Sequence, residues 1–270
     1  MPARIALIVC AVIFGVLGSA AGARAEQEVD LELVLAVDVS YSMDLDEQRL
    51  QRDGYVEAFR DPEIIKAIES GRHRRIAVTY VEWAGWEVQQ IVVPWTVVDG
   101  QATAEALAQK LVAAPISRHR RTSLSGALSF SDRQFGRGEF RGLRRVIDVS
   151  GDGPNNSGPP VVPIRDELVD KGIVINGLPI ILKPGGPGSM FDIEHLDRYY
   201  ADCVIGGDGS FMIPIREKSE FATATRQKLL LEIAGLEPEP RIVRVADRPK
   251  SDCTVGENLW RRYFDDRIRE

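Results

Sequence analysis

The sequence has little cysteine and little histidine, and each shortage argues against a class of protein. Only three of its 270 residues are cysteine, too few for a disulfide-rich scaffold. Three histidines leave few candidates for acid–base catalysis. The net charge of −6 gives no overall basic surface of the kind that binds nucleic acid, so we expect no nucleic-acid partner.

Residues 5–18 form an uncharged run of apolar and small residues near the N-terminus. Arg4 precedes the run, and Ala23-Arg24-Ala25 follows it with small residues where a signal peptidase reads them. As a helix the run would rise about 21 Å, short of a hydrocarbon core of about 30 Å. We therefore predict a secretory signal peptide over residues 1–25 and an exported protein, periplasmic or secreted, without a stable membrane span.

Removal of this signal would change the net charge to −8, because Arg4 and Arg24 leave with it. Two cysteines, Cys203 and Cys253, would remain. In an exported protein, two cysteines favour a single disulfide bond. Two unpaired buried thiols are the alternative.

Apolar strand-like runs alternate with segments of helical spacing along most of the chain. The pattern predicts strands at 31–37, 75–83, 143–149 and 172–182, an antiparallel hairpin strand at 86–93, a last strand or hairpin at 204–215, and helices at 46–68 (broken at 61–62), 103–112, 123–135, 163–171, 191–200 and 217–234. This order specifies an α/β fold with a doubly wound, mostly parallel central sheet, helices on both faces and one antiparallel edge strand. We assign residues 26–235 to this domain. Residues 236–270 are predicted to form a C-terminal tail over the surface, tied to the domain through Cys253.

Polar side chains follow two of the predicted parallel strands, where such sheets bind their ligands. Asp38, Ser40 and Ser42 come after the first strand, and alternate residues of an extended segment point the same way. Asp152 lies between glycines after the strand at 143–149, and Thr122 precedes a predicted helix. Carboxylate and hydroxyl oxygens suit Mg²⁺, Mn²⁺ or Ca²⁺ better than zinc. Each residue also has a structural alternative, because the serines and Thr122 could cap helices and Asp152 could belong to a plain turn.

This motif, Asp-x-Ser-x-Ser with a Thr before a middle helix and an Asp-Gly after a later strand, resembles that of von Willebrand factor type A (vWA) domains. The resemblance covers about residues 30–235. It implies a metal-ion-dependent adhesion site (MIDAS) formed by Asp38, Ser40, Ser42, Thr122 and Asp152. The serines would bind the cation directly, Thr122 directly or through water, and the aspartates partly through water. The bound cation would hold an acidic side chain of a partner protein.

The chain is also similar to a group of exported bacterial proteins of unknown function within this superfamily. The segments VIDVSGDGPNN and CVIGG carry this second likeness. One departure from the broader family is Gly151, which stands where many relatives carry threonine.

A basic run, Arg118-His119-Arg120-Arg121, directly precedes Thr122. We expect it on the same rim of the sheet as the metal site, where it could attract an acidic partner although the net charge is negative. A plain solvated loop is the alternative.

Catalytic motifs of common α/β enzymes are missing. The Gly-x-Ser-x-Gly nucleophile turn and the phosphate-binding Gly-x-x-x-x-Gly-Lys-[Ser/Thr] loop do not occur. Aspartyl phosphatases carry an Asp-x-Asp motif after the first strand. Here the second position of that motif, residue 40, is serine. We therefore predict a protein-binding module rather than an enzyme. A metal-assisted hydrolase and a metal-free structural scaffold are the alternatives.

Overall fold

The computed structural model describes residues 26–136, 140–182, 193–236 and 250–269. The predicted signal peptide lies outside these ranges. The strands are β1 (Gln27–Asp38), β2 (Ile76–Trp83), β3 (Gln89–Val98), β4 (Phe140–Gly151) and β5 (Ile173–Pro179). The helices are α1 (Leu45–Arg60), α2 (Pro62–Glu69), α3 (Gln101–Ala113), α4 (Leu124–Asp132), α5 (Val161–Asp170), α6 (Leu196–Tyr199), α7 (Phe221–Ala234) and α8 (Val255–Arg269).

Five strands form one sheet in the order β3-β2-β1-β4-β5. Neighbouring strands are parallel except for β3, which pairs with β2 in the antiparallel direction at one edge. The predicted fold class is therefore confirmed. Because β2 lies on one side of β1 and β4 on the other, the strand order reverses at β1. A ligand-binding crevice forms at such a reversal, beyond the carboxyl ends of the two strands.

β1 is buried on both faces and separates two apolar cores. Leu33 and Leu35 pack into a core with α1, α2, α3 and α7, whereas Val34 and Ala36 pack into a core with α4, α5 and α6. Successive side chains of a strand point to opposite faces, so a continuous apolar run fills both cores. Asp38 is the last residue of this strand and is itself fully buried.

The helices that follow the polar loops have caps other than the predicted site residues. Asp44 caps α1 by accepting from the N–H groups of Asp46 and Glu47, and Glu47 completes a capping box. Ser123 caps α4 by accepting from the N–H of Gly126. Ser40, Ser42 and Thr122 therefore do not serve as the N-caps of these helices.

The predicted strand at 204–215 is wrong as a continuous element. A π-helical turn occupies Tyr200–Val204, and isolated bridges then join Gly206 and Met212 to β5 and Ile215 to the residue after it. Gly207 and Gly209 adopt left-handed backbone conformations, with φ of 92° and 71°. Such conformations do not fit a strand, and they break the pairing that the apolar residues would otherwise continue.

The described part of the C-terminal tail contains a 15-residue helix, α8, which the polar sequence did not suggest. The predicted disulfide between Cys203 and Cys253 is confirmed, and it attaches the segment before α8 to the turn that follows α6. Cys253 and Val255 also pack against the second core. Among the described residues, no helix is both long enough and apolar enough to cross a bilayer.

A buried ion group joins α7 to the sheet. Lys228 is fully buried, with its ammonium 2.5 Å from Asp148 Oδ1 on β4 and paired also with Glu232. Asn176 of β5 donates to Glu232 at 2.9 Å. Burial, and then the charge of Asp148, raises the pKa of Glu232 from 4.5 to about 7. One ammonium thus compensates two carboxyl groups on different elements.

Replacing Lys228 with methionine should lower the free energy of unfolding by about 3–5 kcal/mol, because Asp148 and Glu232 would stay buried without their cation. Denaturant unfolding measures the change. Lys110→Met, at an exposed position on α3, is the matched control and should change stability by less than about 0.5 kcal/mol. Similarly small effects in both variants would contradict a structural role for the buried ion group.

Candidate metal centre

Three loops meet at the crevice beyond β1 and β4, and backbone hydrogen bonds hold them together. The loop after β1 pairs with the loop before α4, because His119 N donates to Val39 O at 2.9 Å and Tyr41 N donates to His119 O at 2.8 Å. The loop before α4 pairs in turn with the loop after β4, where Asn156 N donates to Thr122 O at 2.8 Å. The backbone therefore brings the predicted motif residues to one place.

Four of the five predicted metal residues form a chain of short polar contacts. Asp38 Oδ1 accepts from Ser40 N at 2.7 Å. The hydroxyls of Ser40 and Ser42 are 2.8 Å apart, and Ser42 Oγ donates to Asp152 Oδ1 at 2.6 Å. Two carboxylates and two hydroxyls from the ends of β1 and β4 thus face one another.

Asp38 is held in an electrostatically unfavourable position. Its carboxylate is fully buried, and Oδ2 has no hydrogen-bond partner among the described residues. Burial, and then the negative charge of Asp152, raises the pKa of Asp38 well above its usual value, although the Ser40 N–H opposes this shift. No lysine or arginine in the described ranges forms an ion pair with Asp38. A positive charge placed between the two carboxylates would remove this repulsion.

Thr122, the fifth predicted residue, is buried beside the loop that carries Asp152. Its N–H donates to Asn156 Oδ1 at 2.9 Å. Because Asn156 N also donates to Thr122 O, two hydrogen bonds join these residues. The Thr122 Oγ1 atom is 3.7 Å from the point where a Cβ of Gly153 would lie. Asn156 therefore holds the backbone of Thr122 against the loop that carries Asp152.

Gly151 and Tyr200 explain the departure from the family pattern at position 151. A Cβ on Gly151 would lie 2.9 Å from Asp38 Oδ2 and 3.1 Å from the Tyr200 hydroxyl, so the space beside the carboxylate is already taken. Tyr200 is fully buried, and its hydroxyl donates to Gly151 O at 3.4 Å. Burial, and then the charges of Asp38 and Asp152, raises the pKa of this phenol, which stays protonated. Sequence reasoning missed Tyr200, because its segment is distant along the chain.

The basic run before Thr122 divides into two pairs with different surroundings. Arg118 Nη2 donates to Tyr41 O at 2.8 Å and to Met43 O at 2.9 Å, and its guanidinium lies 5.0 Å from the centre of the Tyr41 ring. His119 binds the first loop through its backbone. These two residues therefore hold the loop that carries Ser40 and Ser42.

Arg120 and Arg121 are exposed, and neither forms an ion pair within the described residues. They line a shallow cleft of about 390 Å³ next to the candidate site, together with Trp86 and Gly158. Trp86 is 40 % exposed. An exposed aromatic ring beside arginines that form no ion pair in the described part of the chain is a composition typical of protein-binding surfaces.

The donor set fits a hard divalent cation. Asp38, Asp152 and the nearby hydroxyls supply oxygen ligands, and the Asp38 Oδ2 atom lacks a partner that a cation would supply. Within the described ranges no group of three or more His, Cys, Asp or Glu side chains is arranged to hold a metal. Hydroxyls and water would therefore have to complete the coordination, as Mg²⁺ and Mn²⁺ accept more readily than zinc.

The sheet order and its flanking helices define the fold as that of a von Willebrand factor type A domain. One similar structure is proximal thread matrix protein 1 from the mussel byssus with a zinc-occupied MIDAS motif (TM-score 0.52, 13% identity, 76% of this chain and 46% of that chain). Another is the von Willebrand factor type A structure from Catenulispora acidiphila (TM-score 0.53, 14% identity, 76% of this chain and 43% of that chain). A third is the pilus adhesin SpaC from Lactobacillus rhamnosus GG in an open conformation (TM-score 0.54, 12% identity, 77% of this chain and 31% of that chain). The chain spans less than half the length of each, and the likeness concerns the fold.

Within this class the chain belongs to the family described as a protein of unknown function, DUF1194, whose model matches residues 28–237. No curated protein matches the chain significantly.

Replacing Asp38 with asparagine should stabilise the protein in the absence of divalent cations, by on the order of 1 kcal/mol, because it removes a buried charge that faces Asp152. The raised pKa disfavours the charged form of Asp38 in the folded state. The gain should therefore grow as the pH rises above 3.8, the usual pKa of an aspartate.

Thermal unfolding in EDTA at several pH values measures this effect. Asp53→Asn, at an exposed position on α1, is the control and should leave the midpoint unchanged. A lower midpoint for Asp38→Asn across the pH range would contradict the unfavourable electrostatics at Asp38.

Proposed function

We propose that the chain is an exported, divalent-metal-dependent protein-binding module that engages an acidic residue of a partner protein. The observation that carries the proposal is the buried Asp38 carboxylate, which faces Asp152 and whose Oδ2 atom lacks a hydrogen-bond partner among the described residues. Buried charges require a counter-charge. Mg²⁺ or Mn²⁺ is the proposed cation, with Ca²⁺ a further candidate.

In this proposal Ser40, Ser42 and Thr122 offer hydroxyl oxygens to the cation, while Asp38 and Asp152 hold it partly through water. When bound, the cation would supply an open coordination position for a carboxylate from another protein. The contacts from Ser40 N and from Ser42 to Asp152 orient the aspartates in advance, and this lowers the entropic cost of binding.

The site favours binding over catalysis. The Ser40 and Ser42 hydroxyls are engaged with each other and with Asp152, and no histidine side chain hydrogen-bonds to either serine in the described part of the chain. The pairing of a serine nucleophile with a histidine base, which many hydrolases use, is therefore not assembled in that part of the chain.

The partner would approach across Arg120 and Arg121. The net charge of −8 expected without the signal repels an acidic partner at long range, whereas these exposed arginines attract it near the cation. The disulfide is consistent with the export that the N-terminal sequence predicts, because such bonds persist in oxidising compartments. We place the protein in the periplasm or outside the cell.

Calorimetric titration of Mg²⁺ and Mn²⁺ into residues 26–270 tests the metal site. We expect about one ion per chain, with binding lost in Asp38→Ala and Asp152→Ala because each removes a carboxylate from the site. Asp53→Ala removes an exposed carboxylate from α1 and should bind like wild type. A well-folded wild type that binds neither ion would contradict the proposal.

Selection of displayed random peptides in Mn²⁺, with elution by EDTA, tests the partner chemistry. Enriched peptides should contain Asp or Glu, and changing that residue to Asn or Gln should abolish binding. Arg120→Ala should weaken binding of these peptides by roughly two- to fivefold, mainly through slower association at low salt.

Arg72→Ala is the matched control for this rim. Arg72 is also exposed, but it precedes β2 at the opposite end of the sheet, so its removal should leave peptide binding unchanged. Enrichment of peptides without acidic residues would contradict recognition of a carboxylate.

A further inference from the structure

The segment that begins α8 lies against the loop after β4, which carries Asp152, although it falls outside the residues 28–237 that define the family match. The disulfide from Cys253 to Cys203 fixes its start, and Ser251 N donates to Asp202 Oδ2 at 2.8 Å beside that bond. Val255 packs into the second core. The first turn of α8 is therefore anchored on the same helical segment that carries Tyr199 and Tyr200.

This first turn contacts Asn155 directly. A Cβ on Gly256 would lie only 2.1 Å from Asn155 O and 2.8 Å from its carbonyl carbon, so the two backbones approach as closely as a glycine allows. Glu257 Oε1 accepts from Asn155 Nδ2 at 2.8 Å. On the opposite side, Asn155 N donates to the Tyr199 hydroxyl at 3.1 Å. Asn155 is thus bonded to Glu257 of α8 through its side chain and to Tyr199 of α6 through its backbone N–H.

Asn155 transmits this constraint to the loop before α4. Its Oδ1 accepts from Ser125 N at 3.1 Å, in the first turn of α4. The next residue, Asn156, holds the backbone of Thr122 through two hydrogen bonds. Asn155 is fully buried and follows Asp152 by three residues, so its position influences both Asp152 and Thr122.

A second contact reaches the same loop from further along α8. The guanidinium of Arg121 lies 4.1 Å from the centre of the Trp260 ring, close enough for a cation–π interaction. Arg121 has a φ of 73°, a left-handed conformation that is unfavourable for a side-chain-bearing residue. The stacking helps to hold this conformation immediately before Thr122.

We infer that the disulfide-anchored start of α8 is a positioning element of the metal centre, acting through Asn155 on Thr122 and Asp152. The inference rests on the proposed metal site and extends it to residues beyond the vWA-like domain. Glu257 and Gly256 are positioning residues, since they contact Asn155 in the loop that carries Asp152. Groups bonded directly to metal ligands typically change metal affinity by about 10- to 100-fold when removed, and for contacts that act through Asn155 we expect the lower end of this range.

Three variants detach the element in different ways. Gly256→Ala inserts a methyl group against Asn155 O, Glu257→Ala removes the acceptor for Asn155 Nδ2, and the double variant Cys203→Ser/Cys253→Ser removes the covalent anchor. Each should raise the Mn²⁺ dissociation constant by about tenfold or more. Glu257→Gln keeps a carbonyl oxygen as acceptor and should restore affinity to within about threefold of wild type.

Matched controls separate this effect from a general loss of stability. Gly100→Ala places a Cβ only 3.4 Å from the Glu69 side chain, and Asp265→Ala removes an exposed carboxylate from α8 itself. Both should bind Mn²⁺ like wild type. If the cysteine variant fails to fold, Gly256→Ala and Glu257→Ala still decide the question.

Hydrogen exchange in the metal-free protein gives a readout that does not depend on cation binding. The amides of Asn155 and Asn156 should exchange faster in the three variants, while amides of β1 stay protected. Wild type that binds no metal would overturn the proposed function, and the exchange data would still test positioning. Folded variants with wild-type affinity and wild-type exchange at Asn155 and Asn156 would overturn the inference.

Discussion

A single electrostatic constraint organises this end of the molecule, namely the burial of the Asp38 carboxylate beside Asp152 where the strand order reverses. β1 is apolar on both faces, and its packing into both cores fixes the position of Asp38 at the crevice. Gly151 leaves room for the carboxylate, and Tyr200 fills the adjoining space with a hydroxyl that stays protonated. The well-packed sheet offsets the cost of this arrangement, which a cation would relieve.

The loops around the crevice are held from outside, by residues that are not candidate ligands. Arg118 binds two carbonyls of the first loop, Asn156 binds Thr122, and Asn155 joins the loop after β4 to α4, α6 and α8. Loops without regular secondary structure are ordinarily the mobile parts of a domain. Here their polar groups are bonded across elements, and these bonds hold the three loops in one arrangement.

The sequence was informative where the chemistry is local. The apolar runs predicted the parallel strands, and the spacing of Asp38, Ser40 and Ser42 predicted that their side chains would converge, because both depend on neighbouring residues alone.

The expected strand at 204–215 failed because glycines with positive φ interrupt an otherwise strand-like composition. Helix α8 was missed because its docking depends on a disulfide and on Asn155, a residue about a hundred positions away. Tyr200 and Lys228 were missed for the same reason, since their partners are remote in sequence.

The ion group around Lys228 also limits how the domain can move. A shift of α7 by one helical turn, about 5.4 Å along its axis, would carry Lys228 out of reach of Asp148. The two charges would then separate in an interior without water, which is energetically costly. Asp148 lies on β4 only a few residues before Asp152, so the helix is fastened to the strand that supplies half of the crevice. The packing of α7 on the sheet therefore permits a single register, and sliding of this helix along β4 is not open to the domain without breaking the ion group.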